Sequence, residues 1–251
     1  FPEIDIIPSM FIVYFFRIQF ILSPSICSLK ELRYSCVNKQ GLQMKEIFIK
    51  TQKTARVFSQ NSENSEATEV IIALHGYAQL ASFFLKKFNF LEAKNKAVYA
   101  PEGLSKFYWQ GMGGRVVASW MTKEDRANEI MDQQYFLNSI LKQIKKNHPI
   151  TKITVFGFSQ GSDTACRWLS QLNEKIDRLI VWAGDIPEDV FGSELLKAIP
   201  IEFVVGDEDE FISPETAKAR IKSYQEAGFK INLTYYKGSH KVYPEVLKNL
   251  F

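Results

Sequence analysis

Short, continuous apolar runs recur along the chain, each closed by glycine or a turn residue and followed by a stretch with helical spacing. Glu69–Leu74 (EVIIAL), Ala97–Ala100, the run holding Ile153, Val155 and Phe156, Asp177–Ala183 (DRLIVWA), Ile201–Val205 (IEFVV) and Ile231–Tyr236 read as strands. Runs of this length rich in β-branched residues suit strands buried on both faces. Between them the pattern predicts helices over Leu80–Leu91, over Lys123–Asn147, after Gly161, and from Pro214 to Gly228, with a short one closing the chain. In Lys123–Asn147, Ile130, Tyr135, Leu137, Ile140, Leu141 and Ile144 fall on or near one stripe, until His148-Pro149 stops the helix. Lys45–Lys50 and Ala55–Ser59 alternate instead, which predicts a hairpin around Thr51-Gln52-Lys53-Thr54. Asn61–Thr68 is a polar surface loop, and Leu104–Met121, rich in Gly, Trp and Tyr, is an irregular segment too long for a mere connector. Strand–helix alternation of this kind predicts an α/β fold. Its mostly parallel central sheet would have helices on both faces, an antiparallel N-terminal edge hairpin, and functional residues at the carboxyl ends of the strands.

The first forty-odd residues break the pattern. Phe11–Leu22 is aromatic and apolar but short, and Arg17 interrupts it. That is too little for a membrane span, and from Met10 it lacks the basic leader and cleavage site of a signal peptide. We expect residues 1–43 to be an extension outside the fold, and residues 44–251 to be the folded domain. The remaining bulk properties narrow the classes. Of 251 residues, 46% are hydrophobic and 24% charged, which is ordinary for a soluble domain with a sizeable core. A net charge of +3 without a dense basic cluster argues against nucleic acid as a partner. Cys27, Cys36 and Cys166 have neither metal-ligand nor CxxC spacing, so a reduced, metal-free, cytoplasmic protein is expected, with Cys166 in the core.

The chemistry concentrates at Lys152–Leu169. There Gly157-Phe158-Ser159-Gln160-Gly161 stands between a predicted strand and a predicted helix. G-x-S-x-G in that context is the nucleophile elbow, a turn so sharp that the serine hydroxyl is pushed out of it. A serine hydroxyl is a weak nucleophile and needs an adjacent base. Of three histidines, His75 precedes Ser159, His148 stands in a polar, basic segment where it is expected to be solvated, and His240 follows the last strand. Only His240 satisfies the Ser…Asp/Glu…His order of elbow hydrolases. For the carboxylate that orients the imidazole, the strand-end candidates are Asp185, Asp207 and Asp209. Asp209 is assigned to the triad and Asp207 to bracing the turn, with Asp185 the outsider. The oxyanion donors are expected to be the backbone N–H groups of Gln160, directly after the nucleophile, and Tyr77, in the loop His75-Gly76-Tyr77. His75 is then a packing and hydrogen-bonding residue. Trp109, Trp120 and Phe211 are candidate walls for an apolar acyl or alcohol group.

LHGY at Leu74–Tyr77, GFSQGS at Gly157–Ser162, GDEDEFISP at Gly206–Pro214 and GSH at Gly238–His240 together resemble the phospholipase/carboxylesterase group of α/β-hydrolases, which includes the acyl-protein thioesterases. Ala118-Ser119-Trp120 is similar to a Ser-Trp motif in that group's loop beside the acyl pocket. The chain departs from the group at Tyr77-Ala78-Gln79, where Leu-Gly-Asp is usual, and at Glu210, where proline is usual. The resemblance implies an α/β-hydrolase fold and a serine hydrolase cleaving carboxylic esters or thioesters through an acyl-enzyme. It implies a small-molecule ester or thioester substrate and no metal or organic cofactor; the sequence does not fix the oligomeric state, and a homodimer is the expectation. A peptidase on the same scaffold and a non-catalytic binding module are the rival readings.

Overall fold

The computed structural model describes residues 44–92 and 95–251. The chain divides into two units. The first, Phe1–Gln52, is described over residues 44–52, which are exposed and carry no helix or strand. The expected extension, residues 1–43, lies outside the described residues, as do Cys27 and Cys36. The second unit, Lys53–Phe251, holds all the elements that follow.

Its central sheet runs in the order β1 (Val57–Gln60), β3 (Lys96–Pro101), β2 (Glu69–Leu74), β6 (Lys152–Phe158), β7 (Arg178–Trp182), β8 (Ile201–Gly206), β9 (Ile231–Tyr236). All neighbours are parallel except β1, which pairs antiparallel with β3. The edge is therefore antiparallel as expected, but it is a single strand. Residues 44–56 form no strand, and the expected hairpin is absent because its alternating residues have no surface to bury against: Ile47, Phe48 and Ile49 are all exposed. A separate antiparallel hairpin, β4 (Ser105–Tyr108) with β5 (Val116–Ser119), stands inside the segment expected to be irregular.

Two apolar layers cover the sheet, and period-two alternation assigns each strand residue to one of them. Ile153 and Val155 of β6 and Leu179 and Val181 of β7 join the layer formed with α2 (Arg126–Asn147), α3 (Gln160–Leu169) and α5 (Pro214–Glu226). Phe156, Phe158, Ile180 and Trp182 join the other, with α1 (Ala81–Leu85), the 3-10 turn Lys86–Leu91 and α6 (Pro244–Leu247). The stretch predicted as one helix over Leu80–Leu91 is thus split between α1 and the 3-10 turn. A further short helix, α4 (Glu194–Lys197), precedes β8. Helix α5 starts where Ser213 Oγ accepts the Thr216 N–H and Pro214 opens the first turn. Among the described residues, no helix is long and apolar enough to cross a membrane.

This topology fixes where chemistry can occur. The register pairs Leu74 of β2 with Gly157 of β6, Phe158 with Trp182 of β7, and Gly206 of β8 with Tyr236 of β9. The loops beginning at residues 75, 159, 183, 207 and 237 consequently open on one rim of the sheet, outside the carboxyl ends of its strands.

Candidate active site

Ser159 joins β6 to α3 with φ 51° and ψ −121°, a conformation costly for any residue with a side chain. The surroundings hold it there. Its N–H donates to Trp182 O at 2.9 Å, and its carbonyl accepts the Ser162 N–H at 2.8 Å. The flanking glycines are required by space. A Cβ on Gly157 would lie 2.5 Å from Ser162 Cα, and one on Gly161 would lie 2.3 Å from Leu74 O.

The Ser159 side chain, half-buried, faces the imidazole of His240. His240 Nε2 lies 3.0 Å from Ser159 Oγ, and His240 Nδ1 lies 2.8 Å from Asp209 Oδ2. Asp209 is buried, and its other oxygen accepts the N–H groups of Phe211 (2.9 Å) and Ile212 (3.0 Å). Its carboxylate therefore acts only as an acceptor towards the imidazole. That puts the proton on Nδ1 and leaves the Nε2 lone pair facing the serine. Asp207 is elsewhere: its Oδ1 accepts the Gly238 N–H at 2.9 Å and braces the turn. Asp185 is also spent elsewhere, accepting the Tyr224 hydroxyl and pairing with Arg220 at 3.5 Å.

The other two histidines have structural partners. His75 donates from Nδ1 to Gly76 O (2.8 Å) and accepts the Gly103 N–H at Nε2 (3.0 Å). Burial pushes its pKa down to about 4, so it is a neutral strut under the loop it begins. His148, expected to be solvated, is buried. It contacts the Tyr99 hydroxyl at 2.7 Å and Asn64 O at 3.1 Å. Its polar sequence neighbours gave no sign of Tyr99, which the sheet brings from 49 residues away.

Tyr77 and Gln160 stand on facing loops at the end of the β2–β6 pair, and no hydrogen bond among the described residues uses either backbone N–H. The start of α3 adds its positive dipole end at Gln160. Both loops are braced by side chains that sequence reasoning did not single out. Gln79 Oε1 accepts the Gly76 N–H at 3.0 Å. The Gln160 side chain accepts the Trp120 N–H at 3.0 Å and donates to Met121 O at 2.8 Å, tying the start of α3 to the chain after β5.

The three expected wall residues part company. Trp120 has no exposed surface, and its Nε1 donates to His75 O at 2.8 Å. It is core beneath the loop that begins at His75 and not an exposed wall; a Trp this large with a single polar handle is readily absorbed by the interior. Trp109 is half-buried and packs edge-on to the half-exposed Tyr77, with Phe107 beside both. Phe211 is 74% exposed, with its ring centroid 4.7 Å from that of His240. Phe158 backs the imidazole at 5.1 Å.

The fold has solved counterparts of low sequence identity. An esterase, PE8, superposes with a TM-score of 0.61 at 19% identity, covering 78% of this chain and 95% of its own. Acyl-protein thioesterase 2 of Zea mays gives 0.61 at 16%, over 78% and 96%. A phospholipase/carboxylesterase from Dyadobacter fermentans gives 0.57 at 15%, over 80% and 96%. These likenesses establish the α/β-hydrolase fold. A comparison with curated proteins finds no match. A family model described as Serine hydrolase (FSH1) matches residues 65–245, a span that runs from before β2 through Ser159, Asp209 and His240 to the start of α6. A chain matched over most of its length by that model is a serine hydrolase and belongs to the FSH1 family.

Proposed function

We propose that this serine hydrolase cleaves carboxylic esters or thioesters of small molecules, with Ser159 as nucleophile, His240 as base and Asp209 as the carboxylate that orients the base. Ser159 Oγ attacks the acyl carbonyl while His240 Nε2 takes its proton. The tetrahedral oxyanion is met by the N–H groups of Tyr77 and Gln160, an interaction worth on the order of 3 kcal/mol per donor in the barrier. His240 returns the proton to the leaving oxygen or sulfur, and water activated by the same imidazole then releases the acid. Phe211, against His240, and Trp109, packed on Tyr77, offer apolar surface for an acyl or alcohol group. The reading rests above all on the unbroken chain of contacts from Ser159 Oγ through both nitrogens of His240 to Asp209.

The deciding experiment replaces Ser159 by alanine and follows hydrolysis of short p-nitrophenyl esters and labelling by a fluorophosphonate. Loss of both with an unchanged melting temperature is expected. Turnover retained by Ser159→Ala would refute the nucleophile, and a wild-type protein that neither turns over nor labels would be a binding module.

A further inference from the structure

Two neighbouring carboxylates hold one histidine. Asp209 accepts the His240 ring N–H, and the next residue, Glu210, accepts the His240 backbone N–H at Oε2, 2.9 Å away. We propose that Glu210 is a positioning residue for His240, fixing the backbone from which the imidazole reaches Ser159; the proposal rests on the catalytic reading above.

The loop between β9 and α6 shows why one more anchor matters. Its entry is tied to the turn after β8: Asp207 N–H donates to Tyr236 O, Glu208 N–H donates to Gly238 O, and Asp207 Oδ1 accepts the Gly238 N–H. On its far side, Trp182 Nε1 and the Tyr236 hydroxyl both donate to Lys241 O, and the Tyr236 hydroxyl also contacts Ser239 O. These contacts grip residues 238, 239 and 241. Among the described residues, the hydrogen bond to the His240 backbone is the one to Glu210. Gly238 has φ 147°, a backbone value that favours glycine, and a Cβ there would lie 2.8 Å from the Tyr243 ring. Without Glu210 the His240 N–H loses its partner between two held neighbours, and the aim of the imidazole rests on its contact with Asp209. The Asp209 contact then fixes only the ring nitrogen. The His240 backbone N–H, and after it the N–H of Glu210 itself, hold the Glu210 carboxyl below the usual carboxylate range.

The test compares Glu210→Ala and Glu210→Gln in the full chain. Glutamine keeps a side-chain oxygen able to accept the His240 N–H, whereas alanine does not. Small displacements of a catalytic group carry large rate penalties, so Glu210→Ala is expected to lower kcat for p-nitrophenyl butyrate and the fluorophosphonate labelling rate by roughly tenfold. KM should stay within about twofold, since no substrate contact is lost. The melting temperature should stay within about 2 °C, as for other exposed substitutions. Glu210→Gln should recover most of the lost kcat. A Glu210→Ala protein with wild-type kcat overturns the proposal. So does a Glu210→Gln protein as slow as Glu210→Ala, which would assign the effect to charge alone. The wild-type and Ser159→Ala proteins run in the same assay separate the two failures. An active wild type with an unaffected Glu210→Ala sinks only this inference, while an inactive wild type sinks the catalytic reading and this inference with it.

Discussion

Replacing Asp209 by asparagine changes one atom and, by the geometry of its loop, reverses the polarity of the whole site. Oδ1 accepts two backbone N–H groups, from Phe211 and Ile212. An asparagine must therefore keep its carbonyl oxygen there. The flipped amide would set its NH2 against two donors and leave both unsatisfied, at about 1–3 kcal/mol each. A single restored contact to His240, worth about 1 kcal/mol, does not offset that. The amide NH2 then points at His240 Nδ1 and can only donate to it, so Nδ1 becomes the acceptor and the proton moves to Nε2. Nε2–H faces Ser159 Oγ across the 3.0 Å contact as a donor and cannot take the serine proton. A wrong tautomer of this kind costs about 10⁴ in kcat, or about 5 kcal/mol in the barrier. Steady-state hydrolysis of p-nitrophenyl butyrate measures the loss, and thermal unfolding checks that the loop survives. Asp207→Asn is the control: the Gly238 N–H is its acceptor's only partner named above, the amide oxygen can keep that contact, and kcat should stay within a few-fold. An Asp209→Asn protein retaining a tenth or more of wild-type kcat would refute the tautomer argument. A larger loss in Asp207→Asn than in Asp209→Asn would move the triad carboxylate to residue 207.

Two more outcomes follow from the same physics. A chain beginning at Met44 is expected to keep wild-type turnover of the same ester, and loss of folding or activity on removing residues 1–43 would refute their assignment as an extension. The second concerns acid stability. The pKa of His75 falls from 6.5 to about 4 on folding because burial disfavours its charged form, so the unfolded chain binds the extra proton between those values. Its contribution is intact above pH 6.5 and lost as pH falls towards 4, by about 3 kcal/mol in all. Asp163 works the other way. Burial raises its carboxyl from 3.8 to about 6, with Arg167 opposing and Asp185 adding to the shift, so its unfavourable effect is present above pH 6 and relieved as pH falls towards 3.8. Urea unfolding at pH 7, 5.5 and 4 should show a steeper acid loss in Asp163→Asn than in the wild type, and equal slopes would show that these two groups do not oppose each other.

Much of the fold is legible because its information is local. Continuous apolar runs locate the parallel strands, and Ile231–Tyr236 matches β9 residue for residue. The pattern fails where a run has no face to cover or where the signal is diluted. Alternation over Lys45–Lys50 predicts a strand, yet those residues are exposed and form none. Strands β4 and β5 are only four residues each and are separated by the glycine-rich stretch from Trp109 to Arg115. A two-stranded unit so short offers too few residues for a period to register. His148 and Trp120 fail for a different reason. Both look chemically available from their neighbours in sequence, and both are covered by residues that only the sheet brings near.

The site divides along the same line. Candidates for the reacting groups could be named because covalent chemistry restricts them: an elbow admits one serine, and chain order admits one of three histidines. What could not be read is how those groups are held. Gln160 entered as a backbone donor, but its side chain also binds the chain after β5, 39 residues earlier. Glu210 entered as a departure at the end of a motif, but its partner is 30 residues later. The second contact exists because β8 and β9 end at matched registers, Gly206 beside Tyr236, while the first reaches from the end of β6 to the chain leaving the separate β4–β5 hairpin. A rim built this way lets the reacting atoms stay invariant in type while the side chains that aim them are drawn from other loops. The rate of this hydrolase should accordingly depend on residues that make no contact with substrate, with Glu210 the one whose replacement separates aim from chemistry most cleanly.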